Sequence, residues 1–367
     1  MGHFEEYKKQ VEPEKYKKAE NWGVAIGLQQ VDGLTPSKYL IEVAKDNIEG
    51  KITIDEAARQ VTRYYQENPA KNVKEQNEKE ADEVSARIAK LLSTHTFSFR
   101  PAELISIHKA LFSGILNDDV AGKIRTYDIV KKEPVLNGDT VAYGRAEDIL
   151  ETLEYDFSQE KNFKYQGLSK REKVERLAKF TSGIWQIHPF AEGNTRTTAV
   201  FIIKYLYTMG FETNNDLFEQ NSQYFRNALV RANYQNLEND IPYTMDYLNR
   251  FFGNLLLGEN NILDSMEMRI PEKTTQKTTQ KTEKTTQKIL DIIKNNPQVT
   301  RKELAELVGI TADGIKWNLE KLKKAGKIRR IAPDKGGKWD IIEKEEACPV
   351  ETASIINDLM FQKYENV

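Results

Sequence analysis

Residues 188–199 read HPFAEGNTRTTA. His188 is followed by Pro-Phe, then Glu192, Gly193-Asn194 and Arg196. Upstream, Ser169 and Glu172 have the spacing of a capping box. Val174, Leu177, Ala178, Thr181, Ile184 and Trp185 then recur on one helical face. Downstream, TRTTAVFIIKYLYTMG is apolar almost all round and closes at Gly210. The quoted stretch is therefore a loop between two core helices, with Gly193 and Asn194 at the N-terminus of the second.

That placement carries chemistry. Free N–H groups at a helix N-terminus attract anions, and the helix dipole adds to them. Gly193 lets the backbone approach a phosphate closely. Arg196, in the first turn, can neutralise phosphate charge. Glu192 suits a Mg²⁺ ion that also holds phosphate oxygens. His188 can take a proton from an attacking hydroxyl. Phe190 is expected to anchor the loop in the core. A base, a metal ligand and an anion nest within nine residues point to phosphoryl or nucleotidyl transfer.

HPFAEGNTR resembles the signature of the Fic domain family, His-Pro-Phe-x-(Asp/Glu)-Gly-Asn-x-Arg. FSFRPAELISIHKALFSGI (97–115) and AGKIRT (121–126) resemble the family's early helix and the segment after it. EPVLNGDTVAYG (133–144) stands where the family has a β-hairpin flap. The resemblance covers about residues 95–255. It implies transfer of AMP from ATP, with Mg²⁺, to a Ser, Thr or Tyr hydroxyl of a target protein or of the chain itself. His188 would be the base and Glu192 the metal ligand. Gly193 and Asn194 would form the anion hole, Arg196 would bind phosphate, and Asn233 would contact adenine. Val135, Leu136, Val141 and Ala142 of the flap would hold the target by strand addition.

Two departures from the family pattern concern the distal phosphates. Where many Fic transferases have a second Arg, this chain has Ala199, and Thr195 replaces a frequent Gly. Residues 21–66 resemble the antitoxin-like helical module found with many Fic domains. Its inhibitory motif, (Ser/Thr)-x-x-x-Glu-(Gly/Asn), appears here as LQQVDG, with Leu28, Asp32 and Gly33. Asp32 is one methylene shorter than Glu, and the Arg it would meet is absent. Both changes fit an inhibitory lock that has been lost or remodelled. Use of a nucleotide or phosphate donor other than ATP also stays open.

PEKTTQKTTQKTEKTTQK (271–288) is too polar to bury a core and reads as a solvated linker, in part helical. Residues 289–342 then show three short helical patterns and two strands around a Gly-rich turn. Thr300 with Glu303, and Thr311, stand at N-cap positions. This stretch resembles the winged helix-turn-helix families. From Lys288 to Ile342 there are thirteen Lys and Arg against seven Asp and Glu. That surplus of six is the electrostatic footprint of duplex DNA binding, and protein contact or homodimerisation is the alternative use.

The expected fold is mainly α: a Fic-type helical core with a small β-hairpin flap, plus a C-terminal winged helix-turn-helix. The expected domains are 1–92 (helical, antitoxin-like), 93–268 (Fic), 269–288 (linker), 289–342 (winged helix) and 343–367 (tail with a short amphipathic helix). Thr35-Pro36 and Thr53 are expected to start helices in the first. A DNA-binding regulator with a nucleotide-sensing or inactive Fic domain is the alternative to a transferase.

Composition removes other classes. One cysteine, Cys348, excludes an intrachain disulfide and a Cys-cluster metal site. With no apolar run near membrane-spanning length, it points to a reducing cytoplasm. The net charge of −2 excludes general polyanion binding by the whole chain.

Overall fold

Capping side chains set six of the described α-helix starts in the computed structural model. It describes residues 3–9, 12–211, 216–270, 276–331 and 337–342, with backbone alone for Asp216, residues 276–284, Ala312 and Asp313. The expected tail, 343–367, with Cys348, lies outside the described residues. The chain divides into two units, Met1–Glu272 and Lys273–Val367.

In the larger unit, α1 (Glu5–Lys8) leads to α2 (Pro13–Gly27), which has proline at its first position. A 3-10 turn, Leu28–Asp32, extends α2 and stops at Gly33, which takes φ 70°. Helix α3 (Lys38–Ile48) is capped by Ser37, not by Thr35 as the sequence suggested. The reason is tertiary. The Ser37 amide donates to buried Asp82 at 2.8 Å, and Tyr65 Oη donates to the same carboxylate at 2.7 Å. Thr53 caps α4 (Ile54–Glu67) as expected, accepting from the Glu56 amide. Asn72 caps α5 (Val73–Leu92).

The chain continues through α6 (Pro101–Phe112), α7 (Ile149–Asn162) and α8 (Lys170–Ile187), the last opened by the Ser169–Glu172 capping box. Helix α9 (Asn194–Thr208) is buried on nearly every face. Helices α10 (Asp216–Ala232, kinked at Asn221) and α11 (Asp246–Leu257) complete the bundle.

One apolar core runs from Phe4 to Ile270. The N-terminal helices are therefore not a separate body. Helix α2 packs on α5 and α10. A Cβ on Gly27 would come within 2.5 Å of Glu219 Cα, so glycine alone permits this crossing. Ser222 Oγ donates to Gly27 O at 2.6 Å and fixes it. The crossing sets the 28–32 turn against α9 and α10.

In the smaller unit, α12 (Gln276–Asn295) already includes most of the stretch expected as linker. Lys, Thr and Gln have no helix-breaking chemistry, so the helix of Ile289 and Ile293 extends backwards through them. Then come α13 (Arg301–Val308), with its Thr300–Glu303 capping box, and α14 (Ala312–Lys324), capped by Thr311. Strands β1 (Ile328–Ile331) and β2 (Lys338–Ile341) pair antiparallel, with Ile328 opposite Ile341. Ile289, Ile293, Leu304, Ile315, Leu319 and Trp339 form the core of this winged helix. No described helix is long and apolar enough to cross a membrane.

Candidate active site

Helix α8 ends at His188, which takes φ 50°. A left-handed non-glycine residue costs on the order of 1–3 kcal/mol and needs external support. Buried Arg125 supplies it. Its Nε donates to His188 O at 2.8 Å and its Nη2 to Ile187 O at 3.2 Å and to Gly144 O. Its Nη1 donates to Tyr127 O at 2.7 Å, and its amide donates to Pro189 O at 2.9 Å. Nothing in the local sequence marked Arg125 for this task, although AGKIRT belongs to the resemblance.

The clamp aims the imidazole. His188 Nδ1 lies 3.1 Å from Trp185 O, an acceptor only, so Nδ1 carries the proton and Nε2 keeps its lone pair. The Tyr143 ring lies against the imidazole, with centroids 4.2 Å apart, and the Trp185 ring meets it edge-on at 5.2 Å. His188 is buried, and burial first, then the Lys131 charge, hold its pKa well below the usual histidine value. A neutral imidazole with a free Nε2 is the form a general base needs.

The loop is closed from within. Asn194 Oδ1 accepts from the Phe190 amide at 3.0 Å, and its Nδ2 donates to Phe190 O at 2.7 Å. The Asn194 amide group is thus spent on the loop, and what remains for an anion is backbone at the start of α9. Phe190 is 1% exposed and stacks on His108 at 3.8 Å, as the expected anchor. His108 Nδ1 accepts from the Gly122 amide and its Nε2 donates to Glu192 O at 3.0 Å. Burial, as the largest cause, lowers the His108 pKa to about 4, which keeps this tautomer neutral. Thr195 Oγ1 accepts from Trp185 Nε1 at 3.0 Å. That bond accounts for a threonine where glycine is frequent.

Arg196 is buried beneath the N-terminal helices. Its Nη1 donates to Gln29 Oε1 at 3.0 Å and its Nη2 to Glu80 Oε1 at 2.7 Å. Its Nε lies 2.8 Å from Asp32 Oδ2, a close ion pair without hydrogen-bond alignment. Its fourth side faces the Phe112 ring, 4.8 Å from the centroid. Asp32, deprived of the second arginine, therefore meets the first. Ala199 is fully buried in α9, and so is Leu28 at the motif's Ser/Thr position. Glu80 was not foreseen. It sits on an α5 face whose charges look like solvated surface in sequence.

Residues 96–206 match the Fic/DOC family, and residues 282–329 match the family described as Winged helix-turn-helix DNA-binding. The chain carries a Fic/DOC domain. No curated protein matches it significantly. Among solved structures, the N-terminal FIC domain of the Bep8 protein, a VirB-translocated effector from Bartonella sp. 1-1C, is 19% identical. That match covers 51% of this chain and 88% of the other, with a TM-score of 0.39.

Glu192 of the Fic loop is exposed, and its carboxylate makes no ion pair among the described residues. The described residues hold no cluster of three metal-ligating side chains. A lone carboxylate fits Mg²⁺ brought in with phosphate oxygens and water, and does not fit an all-protein cage.

The flap differs from its expected form. Residues 133–144 are not paired strands. They contain a 3-10 turn, Pro134–Leu136, followed by left-handed Asn137 and Gly138. The turn is closed by the Glu133 amide on Asp139 O and the Gly138 amide on Glu133 O. Val135, Leu136 and Val141 are buried in the core, and only Ala142 is exposed. The Ile270 amide donates to Val135 O at 3.2 Å, so that edge is already occupied. Val135, Leu136 and Val141 therefore stabilise the Fic domain core. Asn233, expected at adenine, donates to Ser182 Oγ and Leu229 O, both at 2.9 Å, tying α10 to α8.

Gly193 takes φ 74°, and a Cβ there would reach within 2.5 Å of Phe112 Cζ. Gly193→Ala is expected to lower stability by about 2 kcal/mol or more and to weaken anion binding at α9. Denaturant unfolding of the full chain and phosphate titration check both effects.

Proposed function

We propose that the Fic domain transfers AMP from ATP to a hydroxyl side chain of a protein, with Mg²⁺ held at Glu192. The reading rests chiefly on His188 Nε2, a neutral base with no hydrogen-bond partner among the described residues, beside the N-terminus of α9. His188 Nε2 takes the hydroxyl proton, and the oxygen attacks the α-phosphorus. The bond from that phosphorus to the bridging oxygen breaks, and pyrophosphate leaves. Backbone at Gly193 and Asn194, and Arg196 once freed, stabilise the charge on the phosphates. Mg²⁺ would neutralise phosphate charge when bound. Incubation with ATP labelled at the α-phosphate tests the reading, with mass spectrometry for an AMP adduct on Ser, Thr or Tyr. No adduct in the wild type or in Asp32→Ala counts against it.

We also infer that the winged helix binds DNA through α14. Lys316, Trp317, Lys321 and Lys324 are exposed there, and Lys321 lies over the Trp317 ring at 5.4 Å. Asn318, Leu319 and Leu322 face the core instead. Binding should weaken steeply with salt. Each of Lys316→Ala and Lys321→Ala is expected to reduce the slope of log K against log salt by about 0.9, the release from one phosphate. Unchanged slopes in fluorescence-anisotropy titrations would turn this face into a protein contact.

A further inference from the structure

Ala199 leaves the Fic loop without the cation that the family places near the distal phosphates, yet another segment carries a half-buried cation. Residues 127–133 run past the catalytic loop between two anchors. At one end Arg125 is clamped to the carbonyls of residues 187 and 188. At the other, buried Glu133 pairs with Arg226 at 2.6 and 3.1 Å and accepts from Tyr143 Oη at 3.1 Å. Tyr143 is the residue whose ring lies on His188.

Between the anchors, burial alternates. Asp128, Val130 and Lys132 are exposed, whereas Ile129 and Lys131 are half-buried and Glu133 is buried. In an extended chain successive side chains take opposite faces, and Glu133 has extended dihedrals. Lys131 therefore shares the inner face with Glu133, one repeat away from the residue fixed beside His188. Burial lowers the Lys131 pKa, Asp32 and then Glu192 oppose that, and its charge in turn acts on His188. Those three belong to the 28–32 turn, the metal position and the base. Lys131 makes no ion pair of its own with any described residue. A lysine drawn half into a site and left unpaired there is a cation awaiting an anion.

The geometry points to Lys131 as the group that binds the distal phosphates of the nucleotide, in place of the missing second arginine. This rests on the nucleotide-transfer reading above. Lys131 would hold the β- and γ-phosphates while the α-phosphorus faces His188, and would neutralise the pyrophosphate as it leaves. The cation comes from a segment outside the loop, so the loop's own sequence cannot show it.

The test compares ATP and AMP binding, with Mg²⁺, by calorimetry on the full chain. It is run in the wild type and in Asp32→Ala. Lys131→Met is expected to weaken ATP binding about tenfold, the loss of one charged phosphate contact, and to leave AMP binding within twofold. Lys131→Arg is expected to restore the preference for ATP. An unchanged ATP-to-AMP ratio in Lys131→Met, with the fold intact by circular dichroism, overturns the assignment alone. Absence of any nucleotide binding in both parent chains sinks the transfer reading, and Lys131's role with it.

Discussion

His188→Asn is expected to lower nucleotide transfer by about 10²–10⁴-fold, the usual contribution of a positioned general base. Asparagine is the informative replacement. It tolerates the left-handed backbone that His188 occupies at φ 50°, so Arg125 can keep its contacts with the loop. It has no nitrogen able to take the hydroxyl proton. Nucleotide affinity should stay within about threefold, because the imidazole's polar contact is with Trp185 O and the anion nest lies elsewhere. Initial rates at saturating ATP and Mg²⁺, with affinity measured alongside, separate the two quantities. A rate within tenfold of the parent would show that His188 does not act as the base.

The second large effect concerns Arg196. Gln29, Asp32 and Glu80 occupy the donors that a phosphate would use. Asp32→Ala combined with Glu80→Gln is expected to raise ATP affinity by about 10–100-fold. One charged hydrogen bond is worth roughly 1.5–3 kcal/mol, less where solvent reaches the pair, and about 1.4 kcal/mol is tenfold. Glu80 should contribute the larger part, since its side chain is 22% exposed against 37% for Asp32 and its bond is aligned. Without nucleotide, the double variant should melt below the wild type, because a buried guanidinium has lost its counter-charges. Added ATP should restore more melting temperature to the variant than to the wild type. If affinity instead falls, the acceptors serve to orient Arg196 for phosphate and do not withhold it.

How far the chain could be read in advance depended on how far apart the partners stand. Ser169 with Glu172 and Thr300 with Glu303 are three residues apart, and both capping boxes form as the spacing implied. Gly193, with its left-handed backbone, starts α9 where the loop motif placed it. Thr35 against Ser37 shows where local rules stop. Both are good caps, and Asp82, 45 residues on from Ser37, decides between them. The flap shows the same limit. The family resemblance implied a hairpin there, but its valines and leucine belong to the core and Val135 O accepts from the Ile270 amide.

Sequence by itself therefore determined the helical core, the loop of His188, Glu192 and Gly193 between two of its helices, and the winged helix. These follow from spacings of a few residues, where backbone geometry leaves little choice. Only the tertiary structure decided what surrounds them. Arg196 meets Gln29 across 167 positions and Glu80 across 116, and Arg125 meets His188 across 63. Contacts at such separations are set by how the whole core packs, and the one made by Gln29 depends on the close crossing of α2 and α10 at Gly27. No short pattern encodes that crossing. The question raised by Ala199, which cation meets the distal phosphates, is accordingly one that the loop's own residues do not answer.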